Sequence, residues 1–294
     1  MTGEQAAEDA VLAVEDVALS FAGVTALDGV SFRVEPGTVH AVIGPNGAGK
    51  TSTFNVICGV YAPDRGSVTL GGNRLTGLAP HRIARLGIGR AFQNIALSGR
   101  QTVLENILLG RHVLTRAGVI ASGLRLPSAR REAREGRAKA AEIAELVGMS
   151  RLLDRPAGLL SYGDKKRLEL ARALAMEPSV LLLDEPVAGM NDEETARTAG
   201  VIRDVRDRTG VSVLLIEHDM TLVMDVSDRV TVLDFGRLVA DGAPDEVRRH
   251  PEVLRAYLGG ALGETDAGTD AGTEAGTGAG TEAVANQDQH QEDK

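Results

Sequence analysis

Between about Val11 and Gly259, short apolar runs alternate with longer stretches of helical period. Val39 to Ile43, Val180 to Leu183, Val211 to Ile216 and Val230 to Leu233 have strand length and few polar interruptions. Runs of this kind predict strands buried on both faces, as in a largely parallel α/β sheet. The stretch from Thr102 to Met176 differs, because it holds mostly helical patterns and few strand candidates. It reads as a helical insertion, at about 94–176, in an α/β core. Within it, Ser128 to Val147 interleaves Arg130, Arg131, Glu132, Arg134, Glu135 and Arg137. Mixed signs at this spacing predict a solvated helix face rather than a basic nucleic-acid helix. No apolar run approaches the ~18 residues of a membrane span.

The two ends have another character. Residues 1–11 read as a flexible extension, and 260–294 as a disordered, acidic, low-complexity tail. From Thr265 the tail repeats with period four, Thr269, Thr273, Thr277 and Thr281 marking the repeat, with one Val and no Leu, Ile or aromatic residue. Such a segment buries too little apolar surface to offset its chain entropy. The ends also explain the net charge of -9: Glu264 to Lys294 contributes -7 and the first ten residues -3, leaving +1 for the body. A nearly neutral body lacks the electrostatic footprint of general nucleic-acid binding, so no nucleic-acid partner is expected. Met1 to Ala10 has no Lys or Arg, unlike the basic start of a secretory signal, and a cytoplasmic location is expected. Cys58, the single cysteine, excludes an intramolecular disulfide and is expected to pack as a small apolar residue.

The first chemical signal is Gly44-Pro45-Asn46-Gly47-Ala48-Gly49-Lys50-Thr51-Ser52, which fits the GxxxxGK(S/T) phosphate loop. It follows a strand-like run and precedes a helical segment, the context the motif requires. Glycines let the backbone wrap a phosphate group and aim successive N–H groups and a helix N-terminus at it. Lys50 is then expected at the β and γ phosphates, and the Thr51 hydroxyl on Mg²⁺. The second signal is the apolar run Val180 to Leu183 ending in Asp184 and Glu185, 134 residues after Lys50. Two adjacent acids divide two tasks: Asp184 binds Mg²⁺, while Glu185 orients and deprotonates an attacking water.

Kinases, GTPases, helicases and transport ATPases all satisfy these two signals. Leu160-Ser161-Tyr162-Gly163-Asp164-Lys165-Lys166-Arg167, lying before a helical stretch with Ser161 23 residues ahead of Asp184, narrows the choice. It resembles the signature motif of ATP-binding cassette (ABC) ATPases, with Tyr162 and Asp164 departing from the commonest form, LSGGQ. Ser161 stands where an N-cap hydroxyl would, with Asp164 placed as in a capping box. The resemblance extends over about 12–259. It implies a P-loop NTPase fold with a mixed, largely parallel sheet, an N-terminal antiparallel β part and the helical insertion. It further implies Gln93 as the Q-loop glutamine, contacting Mg²⁺ and the attacking water, and Ala188 to Asn191 as the D-loop. His218 becomes the switch histidine at the γ-phosphate, and Phe21 the aromatic stacked on adenine.

The closing stretch and Ala91-Phe92-Gln93-Asn94-Ile95 look most like the ATPase subunits of branched-chain amino acid importers. Similar closing segments occur in ATPases of urea or amide uptake and of lipopolysaccharide export. What the resemblance implies is an ATPase with ATP and Mg²⁺ as cofactors, peripheral on the cytoplasmic face of the membrane, powering a transporter. Its partners would be transmembrane permease subunits, a second ATPase subunit (paralogue or self) facing it head to tail, and indirectly a solute-binding protein. In that dimer Ser161 and Gly163 of one subunit close over the nucleotide held by the other. A soluble ABC ATPase of DNA repair or translation is the competing class. The first carries a very long coiled coil before the acidic strand and the second carries two cassettes, neither of which this sequence has. The NKxD base-reading motif of GTPases is also absent.

Overall fold

The computed structural model describes residues 11–91, 96–114 and 127–256. The chain opens with β1 (Leu12–Phe21) and β2 (Val24–Val34), a tight antiparallel pair to which β4 (Arg65–Leu70) and β5 (Asn73–Arg74) are added, giving an antiparallel sheet of order β2-β1-β4-β5. The second sheet contains β3 (Val39–Ile43), β6 (Ile88–Ala91), β7 (Val180–Asp184), β8 (Ser212–Ile216), β9 (Arg229–Asp234) and β10 (Arg237–Gly242) in the order β10-β9-β3-β8-β7-β6. All its pairings are parallel except β9 with β10. The largely parallel sheet is the architecture expected from the apolar runs, and its mixed character is what the resemblance implied.

Those runs are apolar throughout because both faces of the six-stranded sheet are covered. Val39, Ala41, Ile43, Leu181, Leu183, Val213 and Leu215 face one core, shared with buried residues of the helices α3 (Val103–Gly110), α4 (Pro127–Leu146), α5 (Tyr162–Leu174) and α6 (Asp192–Thr209). The alternate residues Val42, Val180, Leu182, Leu214 and Ile216 face a second core with Phe54 and Ile57 of α1 (Lys50–Ile57), Ile83 of α2 (Pro80–Leu86) and the inner face of the antiparallel sheet. The period of two along a strand thus carries apolar residues to two layers at once.

Local chemistry sets the helix ends. Asn191 caps α6 by a capping box with Glu194, Asp192 and Glu193 join it in the first turn, Arg206 and Arg208 lie in the last, and Gly210 stops the helix in the left-handed region. α4 buries Ala140, Ile143 and Ala144 and turns its charges outward, where Arg131 pairs with Glu135 and Lys139 with Glu142. Cys58 lies one residue past α1, at its C-cap, where burial raises the thiol pKa. Of the 1–11 extension only Val11 is described, and the 260–294 tail lies outside the described residues.

Candidate functional site

Strand register builds the site. Val42 pairs with Ile216, and Ile216 pairs with Asp184, so β3, β8 and β7 end together at one carboxyl edge. The phosphate loop leaves β3 there, Glu185 follows β7, and Glu217 and His218 follow β8. Open α/β sheets bind ligands at this edge. β6 runs parallel beside β7, Ala91 pairing with Leu183, and Gln93, two residues farther on, lies outside the described residues.

The phosphate loop is shaped for an anion. Gly44 takes φ +148°, and a Cβ there would meet the Leu233 carbonyl oxygen at 2.1 Å. Gly49 takes φ +99° and stands at the N-cap of α1 with no side-chain cap, so the first N–H groups of the helix are left to a ligand. Between them the loop turns through Pro45, Asn46 and Gly47, with Ala48 N donating to Pro45 O at 3.2 Å. Lys50 is 8% exposed, and its Nζ folds back to donate to Gly44 O at 2.6 Å and Pro45 O at 2.9 Å. Burial lowers its pKa, against which the charges of Glu185 and Asp184 act. A cation aimed into a glycine cradle fits a polyphosphate. Thr51 and Ser52 follow on the first turn, Thr51 exposed.

Asp184, 7% exposed at the end of β7, accepts from Arg90 Nη2 at 2.8 Å. Arg90 also donates through Nη1 to Asn55 Oδ1 of α1 at 2.9 Å, and its guanidinium lies 5.8 Å from the Phe54 ring centroid. It therefore ties the acidic strand to the helix that follows the phosphate loop. Glu185 is exposed and adopts a left-handed φ of 51°, and its Oε1 stands 4.0 Å from His218 Nδ1. Glu217 has 0% exposure and accepts from Val187 N at 3.1 Å, His218 N at 2.9 Å and Asp219 N at 3.3 Å. Among the described residues no group of three His, Cys, Asp or Glu side chains could hold a metal. The oxygens of Thr51 and Asp184, completed by phosphate and water, are the donor type that suits Mg²⁺.

Ser161 and Gly163 stand apart, at the start of α5, beside a cavity of about 130 Å³ also lined by Met190, Glu194 and Thr198. Ser161 Oγ accepts from Asp164 N at 3.1 Å and donates to Asp164 Oδ2 at 2.9 Å, while Asp164 also pairs with Arg167. Asp164 thus meets the Ser161 hydroxyl and not, as a capping box would have it, the Ser161 backbone; it is one methylene shorter than the usual Glu. Farther along α5, Lys166 reaches the segment after Glu185, and Glu169 and Arg172 hold Ala96 by its N–H and its carbonyl. Burial raises the Glu169 pKa and lowers that of Lys166. Phe21, at the end of β1, is 43% exposed and packs edge-on against Tyr61 with centroids 5.0 Å apart.

Arg90, Asn55, Tyr61, Lys166 and Glu217 all escaped the sequence reading. Only the positions of Arg90, Lys166 and Glu217 beside the expected Gln93, Ser161 and His218 could have drawn attention to them.

Comparison with known proteins gives a consistent picture. The ABC transporter family model matches residues 27–188, more than half of the chain, and the model for branched-chain amino acid ATP-binding cassette transporters matches 237–262. The high-affinity branched-chain amino acid transport ATP-binding protein BraF of Pseudomonas aeruginosa is 42% identical over 251 residues, 85% of this chain and 98% of that one. LivG of Escherichia coli K12, which bears the same description, is 41% identical with the same coverage. The lipopolysaccharide export system ATP-binding protein LptB of Haemophilus influenzae is 33% identical over 85% of this chain and 97% of that one. Among solved structures, the ADP conformation of an ATP-binding cassette of an ABC transporter superposes with a TM-score of 0.74 at 33% identity, covering 85% of this chain and 99% of that one.

Proposed function

The chain belongs to the ABC transporter ATP-binding family, and from that premise we propose that it is the ATP-hydrolysing subunit of an importer of branched-chain amino acids. The observation that carries the site is the shared edge of β3, β8 and β7, which places the phosphate loop, Glu185 and His218 side by side. The 42% identity to BraF, against 33% to LptB, and the match at 237–262 favour amino-acid import over lipopolysaccharide export.

In this reading the loop from Gly44 to Ser52 wraps the phosphates, and Lys50 exchanges its two carbonyl partners for β and γ phosphate oxygens. Phe21 stacks on adenine. Thr51 and Asp184 would hold Mg²⁺, with Gln93 completing the set. That ion, when bound, neutralises phosphate charge. Arg90, 2.8 Å away, keeps Asp184 paired and oriented. Glu185 takes a proton from the attacking water, and His218, 4.0 Å away, contacts the γ-phosphate. Ser161 and Gly163 act on the nucleotide of a second ATPase subunit, a paralogue or another copy, facing this one head to tail. Closure of the pair excludes water, and hydrolysis reopens it. Among the described residues no helix is long and apolar enough to cross a membrane. In this reading permease subunits supply the path. We place the chain on the cytoplasmic face of the membrane, its motion reaching a solute-binding protein only through the permease.

Glu185→Gln tests the assignment, because it keeps the side-chain shape while removing the base. In the assembled transporter ATP binding is expected to persist while turnover falls ~10²-fold or more. Near-normal hydrolysis would overturn the role of Glu185. Uptake of labelled leucine, isoleucine or valine by vesicles carrying the complete system tests the substrate class, and ATP-dependent uptake of none of them refutes it.

A further inference from the structure

Glu185 is not free to take any backbone shape. Its φ of 51° lies in the left-handed region, which strains a non-glycine residue and persists only where the surroundings enforce it. The surroundings here are unusual. Lys166, on the helix that starts at Ser161, is 4% exposed, and its Nζ donates to Glu185 O at 2.9 Å, Pro186 O at 3.2 Å and Ala188 O at 3.2 Å. An ammonium carries three protons, and three carbonyls of one turn converge on it. The Tyr162 ring, 5.4 Å from Nζ, covers another side.

The same turn is gripped by its amides. Glu185 N donates to Ile216 O at 2.9 Å, and Val187 N donates at 3.1 Å to the buried carboxylate of Glu217. The segment 185–188 is therefore held between a cation on the signature helix and an anion beside His218. An aliphatic side chain at 166 would leave three carbonyls without their charged donor, in a place with little water to replace it.

We propose that Lys166 is a positioning residue for hydrolysis: its ammonium gathers the carbonyls of Glu185, Pro186 and Ala188 and so fixes the backbone that aims the Glu185 carboxylate. The inference rests on Glu185 being the base. It gives the signature helix a second task, inside its own subunit, beside the one assigned to Ser161 across the dimer. Lys166 touches neither nucleotide nor water in this scheme, so its loss acts on turnover and not on nucleotide affinity.

The test uses the full chain assembled with its permease subunits, comparing Lys166→Met, Lys166→Arg and Glu185→Gln. Lys166→Met is expected to lower kcat about tenfold or more while KM and the Kd of a fluorescent ATP analogue stay within about twofold; Lys166→Arg, which keeps charge and donors, should recover kcat to within about threefold of wild type. Should the Met variant fail to bind the analogue, Lys166→Gln carries the same expectation without the charge. A kcat within twofold of wild type in the uncharged variant, or equal losses in the uncharged and Arg variants, overturns the proposal. If Glu185→Gln is slow while the uncharged variant is fast, only this inference fails. If Glu185→Gln turns over normally, the reading of Glu185 as base fails and takes the inference with it.

Discussion

His40 shows what burial does to one residue. It lies inside β3 at 1% exposure, its Nε2 sharing a 2.8 Å hydrogen bond with Thr231 Oγ1 and its ring 5.4 Å from that of Phe32. Its pKa falls from 6.5 to about 4, mainly through burial and further through the charge of Arg229, while Asp241 opposes the shift. Because the folded pKa lies below the unfolded one, the unfolded chain takes up the proton first. The stabilisation is complete above about pH 6.5 and is lost as pH falls towards 4. From pH 7.5 to pH 5 the loss from this residue alone amounts to about 2 kcal/mol. Urea unfolding of wild type and His40→Gln should therefore show the gap between them narrowing by about that amount over this interval. A constant gap would mean that His40 is not the titrating group.

Among the elements, α3 depends on its N-cap residue, Thr102. Thr102 Oγ1 accepts from Glu105 N at 3.2 Å and Glu105 Oε2 accepts from Thr102 N at 2.8 Å, while Val103 N donates to Arg155 O at 3.0 Å and anchors the helix start to the segment before α5. Thr102→Ala removes the cap and should cost about 1 kcal/mol, a fall of about 2–4 °C in the unfolding midpoint, with Thr102→Ser nearly neutral and ATP affinity unchanged. A midpoint unmoved by the Ala variant would show that the Arg155 contact alone holds the helix start. The cap was local in the sequence, Thr followed at the third position by Glu before an apolar run, although it was not among the expected features. The buried Asn106 was not: its amide donates to Ser98 O at 3.1 Å and Thr102 O at 2.9 Å, and its Oδ1 accepts from Ser98 N at 3.0 Å, a role that exists only once the 98–102 turn folds over α3.

At the scale of the whole molecule, the question is where Ser161 acts. Lys50 lies at the carboxyl edge of the sheet, while Ser161 opens α5 beside a separate cavity, its hydroxyl engaged by Asp164. Composite sites make a specific forecast if two copies pair. Lys50→Ala and Ser161→Arg homodimers should each be inactive. Mixed in equal amounts and allowed to exchange, half the dimers combine the two lesions, and each of these keeps one site built from intact halves. ATPase activity should recover to roughly a quarter of wild type, or less where both sites must fire together. Background turnover in a mixture that crosslinking shows to contain mixed dimers would exclude independent composite sites. If the partner is a paralogue, one lesion is placed in each chain and one site survives in every dimer.

What the sequence determined by itself is what neighbouring residues settle among themselves. Apolar runs covered on both faces mark the strands, the spacing of glycines before Lys50 marks a backbone that a phosphate can approach, and Ser161 marks a helix start, because a cap hydrogen bond spans only three residues. Only the tertiary structure decided that β8 lies between β3 and β7, which brings groups 134 residues apart to one edge. It alone supplied Arg90 to Asp184, Tyr61 to Phe21, and Lys166 and Glu217 to the turn after Glu185. These partners leave no period in the sequence, since nothing local requires them. Their necessity arises when packing removes water from a carboxylate or a row of carbonyls, and a buried polar group must then find its counterpart wherever the fold has placed one.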